Sequence, residues 1–194
     1  MLGFLRKRTE ELLASLTNIF VKANVNPNVI SLVALLLAII SASFYYFKII
    51  FLAVLFLLIS GFLDMIDGMV ARAGNRESKL GNVLDSTLDR YADFLPILAI
   101  GLAGMANWIF VTIAIFGSLI PSYVRAKLEI NIESKKIKAK SVIGERADRI
   151  ILLILASLIY PLYKESFDIA FLLIFILGNF AVILRLWYNI ESLK

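Results

Sequence analysis

Apolar residues run in long blocks along this chain, and short polar turns separate them. From residue 28 onward six blocks stand out, at about 28–47, 50–72, 80–102, 107–128, 142–161 and 168–190. Each is about 20 residues long, which is what an α-helix needs to cross the hydrocarbon core of a bilayer. Residues 2–22 behave differently. Leu2, Leu5, Leu12, Leu13, Leu16, Ile19 and Phe20 recur at near-helical spacing with charges between them. That pattern predicts an amphipathic helix on the membrane surface, too polar to span. Glu10 and Glu11 interrupt its apolar face and no small-residue cleavage site follows, which argues against a signal peptide. At the break NVNPN, residues 24–28, Pro27 sits where a helix can start. The pattern predicts an all-α integral membrane protein. An interfacial helix over 1–23 precedes a domain of six transmembrane helices over 24–194.

Composition agrees. Of the 194 residues 60% are hydrophobic, and the mean hydropathy is +0.87, too apolar for a soluble domain of this length. There is no cysteine, which removes disulfide, zinc–thiolate and thiol-nucleophile chemistry. There is no histidine, so a general base must be Asp, Glu, Lys or Tyr. The net charge of +5 is clustered. Basic residues occupy the N-terminal helix, the 73–80 turn, the 126–141 loop and the C-terminus, whereas Lys48 and Lys164 are the only ones in loops on the other side. This asymmetry predicts a plasma-membrane protein with both termini cytoplasmic, and it explains the positive charge without a nucleic-acid partner.

Against this background four carboxylates are out of place. Asp64, Asp67, Asp85 and Asp89 lie between or inside apolar runs. The first two are spaced i, i+3 and the last two i, i+4, so each pair shares a helix face. A hairpin turning about residues 76 and 77 would bring all four to one depth, opening toward the cytoplasm. Unpaired acids at that depth are strongly unfavourable. A bound divalent cation would relieve them, and oxygen-only ligands favour Mg²⁺, Mn²⁺ or Ca²⁺ over Zn²⁺. The other reading is ion pairing with Arg72, Arg76 and Arg90.

Written as a pattern, the stretch is D-x2-D-G-x2-A-R-x8-G-x3-D-x3-D, filled by Asp64, Asp67, Gly68, Ala71, Arg72, Gly81, Asp85 and Asp89. It resembles the signature of the CDP-alcohol phosphotransferase (phosphatidyltransferase) family at every fixed position. The resemblance implies six transmembrane helices behind an interfacial helix, and a homodimer with one site per protomer. Glycines 101, 104, 117 and 178 would permit close helix packing. It also implies the reaction: a hydroxyl attacks the lipid-side phosphorus of a CDP-lipid, and CMP leaves. Asp64, Asp67, Asp85 and Asp89 would hold Mg²⁺ or Mn²⁺, two ions per site, with Asp89 also taking the hydroxyl proton. Gly68, Ala71 and Gly81 would let the nucleotide approach closely, and Arg72 would reach its phosphates. Ser78 matches a nucleotide-lipid contact. Pro27, Asn28 and Ser31 resemble the family's Pro-Asn-x-x-Thr element, with Ser31 in place of Thr, and would bind the nucleotide or simply start the helix. Asp93 continues the stripe outside the motif as a supporting partner.

The acceptor is read from two further stretches, SYVRAK at 122–127 and GERADR at 144–149. Arg125, Arg146 and Arg149, with Lys135 from the loop, could converge on a phosphate. Alternatively, Glu145 and Asp148 make this a salt-bridged helix start. The two stretches resemble the inositol-phosphate-using branch, its archaeal members most of all. That implies a CDP-lipid donor such as CDP-archaeol, and myo-inositol phosphate as acceptor. Glycerol phosphate as acceptor and CDP-inositol as donor are the nearest alternatives. A cation transporter would also hold intramembrane carboxylates, but would not need Gly68, Ala71, Arg72 and Gly81 at fixed spacing.

Overall fold

Helix starts and stops are written locally in this chain. The computed structural model describes residues 13–132 and 144–190, which form seven helices. They are α1 (Leu13–Lys22), α2 (Pro27–Tyr46), α3 (Ile50–Ala73), α4 (Lys79–Leu102), α5 (Trp108–Asn131), α6 (Arg146–Ile159) and α7 (Ser166–Asn189). At α2 the Asn26 side chain accepts from the Asn28 N–H and Pro27 takes the first helical position, where no donor is needed. The α3–α4 turn has Asn75 at φ +51 and ends on Ser78, whose hydroxyl accepts from the Gly81 N–H. Asn107 caps α5 in the same way, and a reciprocal Glu145–Asp148 capping box starts α6.

Four of the helices, α2, α3, α5 and α7, are long and apolar enough to cross a membrane. Large apolar side chains cover their outer faces, including Leu36, Phe51, Leu58, Ile109 and Ile183. This is a multi-pass membrane protein. The other two expected spans differ in kind. α4 has 24 residues but carries Asp85, Asp89, Arg90 and Asp93, and α6 has 14 residues where the apolar run predicted about 20. The capping box explains the short α6, because it sets the first helical residue at Arg146 rather than near 142.

Packing is uneven along the bundle. One end is a closed apolar core of Tyr45, Leu57, Ile97, Ile100, Phe167 and Phe171. Inside it the Tyr45 hydroxyl meets Ser157 Oγ at 2.7 Å. At the other end a small cluster of Ile30, Ile66 and Val70 supports the polar residues. There α2 packs along both α3 and α4, while α3 and α4 scarcely approach each other. The expected hairpin is therefore splayed: α2 fills its base, and the space between the arms is left to the acids.

The glycines counted toward a dimer face work inside the protomer. A Cβ on Gly117 would lie 2.6 Å from Phe175 Cα, and one on Gly178 would run into the Gly117 carbonyl. These two let α5 and α7 touch backbone to backbone. A Cβ on Gly101 would meet Val111, and Gly104 turns at φ +66. Of the N-terminal amphipathic helix, residues 1–12 lie outside the described residues, as does most of the 126–141 loop with Lys135.

Candidate active site

Three of the four motif acids come together. Asp64 and Asp67 on α3 and Asp85 on α4 each offer a carboxylate oxygen, all within 4.8 Å of one another. Asp67 is buried, and Ser31 on α2 donates to its Oδ2 at 2.6 Å. Among the described residues, no arginine or lysine reaches Asp67 or Asp85 at ion-pair distance. Arg76 instead ties the α3–α4 turn to the α1–α2 break through the Val25 carbonyl at 3.0 Å and the Asn24 side chain. Among the described residues Arg90 pairs with Asp93 alone, at 3.6 Å. Arg72 is exposed, with its guanidinium over Gly68. The alternative reading, ion pairing of the acids with Arg72, Arg76 and Arg90, is therefore not what the structure has among the described residues. Three carboxylates offer hard oxygen donors and nothing else, and that donor set fits Mg²⁺ or Mn²⁺.

Asp89 is outside this trio but adjoins it at Asp64. It and Asp64 both pair with Arg146 Nη1, from the first turn of α6. Arg146 is thus a hinge residue in the electrostatic sense, shared between the acid cluster and the pocket behind it.

On one side of the acids lies a cleft between α2, α3 and α4. Its walls include Pro27, Asn28, Ser31, Gly68, Ala71, Ser78 and Gly81, seven of the eight residues expected to contact the donor. Arg72 borders this cleft without lining it. The nearest atoms that a Cβ on Gly68 would meet are those of the movable Arg72 guanidinium, in ordinary contact at 3.4 Å from Nη1. Helix packing does not require this glycine. Gly81 is different, since its Cβ would come within 3.0 Å of Ser78 Oγ and 3.2 Å of Asn28 Oδ1. It brings the starts of α2 and α4 together. Ser78 and Ser31 also hold structural bonds, so both shape the cleft as well as facing it. Arg76, Glu77 and Asn82 complete the lining, and the motif alone did not mark them.

On the other side, α4, α5, α6 and α7 enclose an arginine-walled pocket. It is lined by Arg90, Ser122, Arg125, Arg146, Arg149 and Arg185, with Glu145 and Asp89. A neighbouring pocket shares Asp89, Arg90, Ser122 and Arg125, adds Glu129, and reaches Asp85. Arg125, Arg146 and Arg149 converge as expected. Each is also paired within the protein: Arg125 with Glu129 at 2.9 Å, Arg146 with three acids, and Arg149 with Asp93 and with the Gly144 carbonyl at 3.0 Å. Arg146 and Arg149 thus pair with acids of α3 and α4, while Glu145 and Asp148, their partners in the alternative reading, cap the helix start. Gly144, at φ +93 and pressed against the Leu177 carbonyl, sets the angle at which this helix start enters.

Arg185 escaped the sequence reading. It is buried on α7, donates to the Pro121 carbonyl at 2.8 Å and lies 3.4 Å from Glu145. A signal did exist, because a lone arginine inside an apolar run marks a functional interior.

This geometry, acids between a small cleft and a cationic pocket, has counterparts. The family model described as CDP-alcohol phosphatidyltransferase matches residues 24–187. The archaetidylinositol phosphate synthase of Methanothermobacter thermautotrophicus is 38% identical over 136 residues, 70% of this chain and 68% of that protein. The Pyrococcus horikoshii protein of the same name is 30% identical over 158 residues, 81% and 82% of the two chains. The fold matches that of Mycobacterium tuberculosis phosphatidylinositol phosphate synthase with CDP-DAG bound, at a TM-score of 0.74 and 17% identity, covering 92% of this chain and 93% of that one. The same mycobacterial protein has been crystallised with manganese and citrate. With the motif, the splayed acid-lined helices and these matches in agreement, the chain belongs to the CDP-alcohol phosphatidyltransferase family.

Proposed function

We propose that this enzyme transfers the phosphatidyl-type group of a CDP-lipid, of archaetidyl kind, to a hydroxyl of myo-inositol phosphate and releases CMP. One observation carries the reading. The acid cluster stands between a glycine-lined cleft and an arginine-walled pocket: Asp85 lines the cleft and the recess that adjoins the pocket, and Asp89 lines both that recess and the pocket. The cleft suits a nucleotide pyrophosphate approaching close to helix backbones. The pocket suits an acceptor that itself bears a phosphate. The names of the archaeal relatives point to the same acceptor.

The roles follow from position. Pro27, Asn28, Ser31, Gly68, Ala71, Ser78 and Gly81 receive the donor, with Arg72 at the rim. Arg125, Arg146 and Arg149, joined by Arg185 and by Lys135 of the loop, hold the acceptor phosphate. Asp89 takes the proton of the attacking hydroxyl, since it lines the acceptor side and no histidine exists to do so. Arg146, bonded to Asp89, fixes the direction from which that carboxylate meets the hydroxyl. Asp64, Asp67 and Asp85, with Asp89 nearby, would hold two Mg²⁺ or Mn²⁺ ions, which neutralise the pyrophosphate and stabilise the leaving CMP oxygen.

In the membrane the reading places six spans. α4 crosses with its acids turned inward, and α6 is the sixth span despite its shorter length. The basic segments put both termini and the acid cluster on the cytoplasmic side of the plasma membrane, with residues 1–23 as the interfacial unit. The working form is a homodimer, each protomer with a complete site. The test is an acceptor panel with purified protein. CDP-archaeol and CDP-diacylglycerol are each paired with myo-inositol phosphate, glycerol phosphate, inositol and serine, and CMP release is followed. Release that depends on inositol phosphate supports the proposal. A preference for glycerol phosphate replaces the acceptor, and no CMP with any pair removes the reaction.

A further inference from the structure

Asp93 lies one helical turn beyond Asp89 and is 6% exposed. It lines neither the donor cleft nor the arginine-walled pocket, only a small enclosed space beneath them bounded by Leu57, Ile97 and Leu153. No substrate can touch it there. Yet three arginines from two helices point at it. Oδ2 takes Arg149 Nη2 at 2.5 Å and lies 3.6 Å from Arg90 Nη1, while Oδ1 lies 3.4 Å from Arg146 Nε. All three arginines line the pocket on their other side.

The charges explain what such an acid does. Three guanidinium groups drawn to one spot repel each other, and the repulsion is strong where water is scarce. One buried carboxylate between them offsets that, holding Arg149 by a charge-assisted hydrogen bond and drawing the other two by its charge. Arg146 is held at Nη1 by Asp64 and Asp89, while its buried Nε, which makes no hydrogen bond, lies at ion-pair distance from Asp93. If Asp93 lost its charge, Arg146 would be pulled wholly onto Asp64 and Asp89, and Arg149 would keep only the Gly144 carbonyl.

We infer that Asp93 is a positioning residue. It aligns Arg146 and Arg149 for the acceptor phosphate and keeps Arg146 from collapsing onto the acid cluster. The inference rests on the acceptor reading above and makes it more specific. Asp93→Asn raises the acceptor KM about tenfold or more, as expected for misplacing a charge-assisted contact, and leaves the CDP-lipid KM within about twofold. Asp93→Glu keeps the charge one methylene further out and recovers part of the loss.

The experiment measures both KM values for wild type, Asp93→Asn and Asp93→Glu, with thermal unfolding in detergent as a control on folding. Wild-type turnover with inositol phosphate tests the function. The mutant-to-wild-type ratio tests Asp93, and is read with whichever phosphorylated acceptor the wild type prefers. Selective loss of acceptor affinity with partial recovery in Glu supports the inference. Equal loss toward both substrates, or a lowered Tm with both KM values unchanged, overturns it and leaves Asp93 as a folding residue. Should Asp93→Asn fail to fold, Asp93→Glu decides: a severalfold rise in acceptor KM alone supports the inference, and wild-type values for both overturn it.

Discussion

The two recesses that meet at the acids are made of opposite materials. The cleft between α2, α3 and α4 is lined mostly by small and neutral residues, with Asp67 and Asp85 at the acid cluster and Arg76 and Glu77 from the turn, and its lining comes from two short stretches, 27–31 and 67–85. The pocket between α4, α5, α6 and α7 is lined by five arginines drawn from four helices. The first works by leaving room. Gly68 and Ala71 withhold side chains so that backbone and carboxylates stay reachable. The second works by charge, and every arginine in it is held by an internal acid or carbonyl before any ligand arrives. Pairing of this kind keeps long side chains ordered, and the bound phosphate need not supply that ordering. A site can thus treat two anionic substrates differently: space and a metal centre for the one, prearranged guanidinium groups for the other.

The division can be broken first at its boundary. Asp67→Asn or Asp85→Asn should lose turnover by about a thousandfold or more, because metal stabilisation of the transition state is worth several kcal/mol. EDTA should do the same to wild type, reversibly with Mg²⁺ or Mn²⁺. Manganese binding followed by electron paramagnetic resonance should fail in both variants. Full activity in chelator would dissolve the metal centre and the comparison with it.

Asp89→Asn should come next. Loss of a general base is expected to lower kcat by about 10² to 10⁴, with CDP-lipid affinity largely kept. Single-turnover kinetics with donor binding measured separately checks this. Loss of donor binding would move Asp89 to the other recess.

Within the arginine pocket, Arg125→Ala should raise the acceptor KM by about ten- to a hundredfold, equivalent to one charge-assisted contact, and spare the donor KM. Arg72→Ala should do the reverse. Arg146→Ala is the informative exception. Since Arg146 touches Asp64 and Asp89 as well as lining the pocket, it should lower kcat as well as raise the acceptor KM. A pure KM effect at Arg146 would mean that its bonds to the acids do not matter in turnover.

The smallest effect belongs to the cleft glycine. Gly68→Ala should weaken donor binding severalfold while leaving Tm unchanged or slightly raised, because alanine favours a helix by about 1 kcal/mol and meets only the movable Arg72. Gly117→Ala, by contrast, should unfold the bundle, since its Cβ would press on the Phe175 backbone. Thermal melts of the pair separate a glycine kept for a ligand from one kept for packing.

The sequence by itself determined whatever depends on neighbours along the chain. Apolar run lengths placed the helices, capping residues placed the starts of α2, α4, α5 and α6, and the spacing of Asp64, Asp67, Asp85 and Asp89 put the acids on facing surfaces. The cleft between α2, α3 and α4 was legible for the same reason: its residues sit within one turn of the motif or at the start of α2. The structure alone decided what depends on helices meeting. It showed that α2 holds α3 and α4 apart, that Ser31 serves Asp67, and that Arg146 rather than Arg72, Arg76 or Arg90 neutralises Asp64 and Asp89. It brought Arg185 to Glu145 across 40 positions, and it spent Gly117 and Gly178 on each other. Charges act through space, over a few ångströms and at steep energetic stakes where water is absent. Which arginine lies within that range of which acid is fixed by how the helices pack, and helix periodicity carries no information about that.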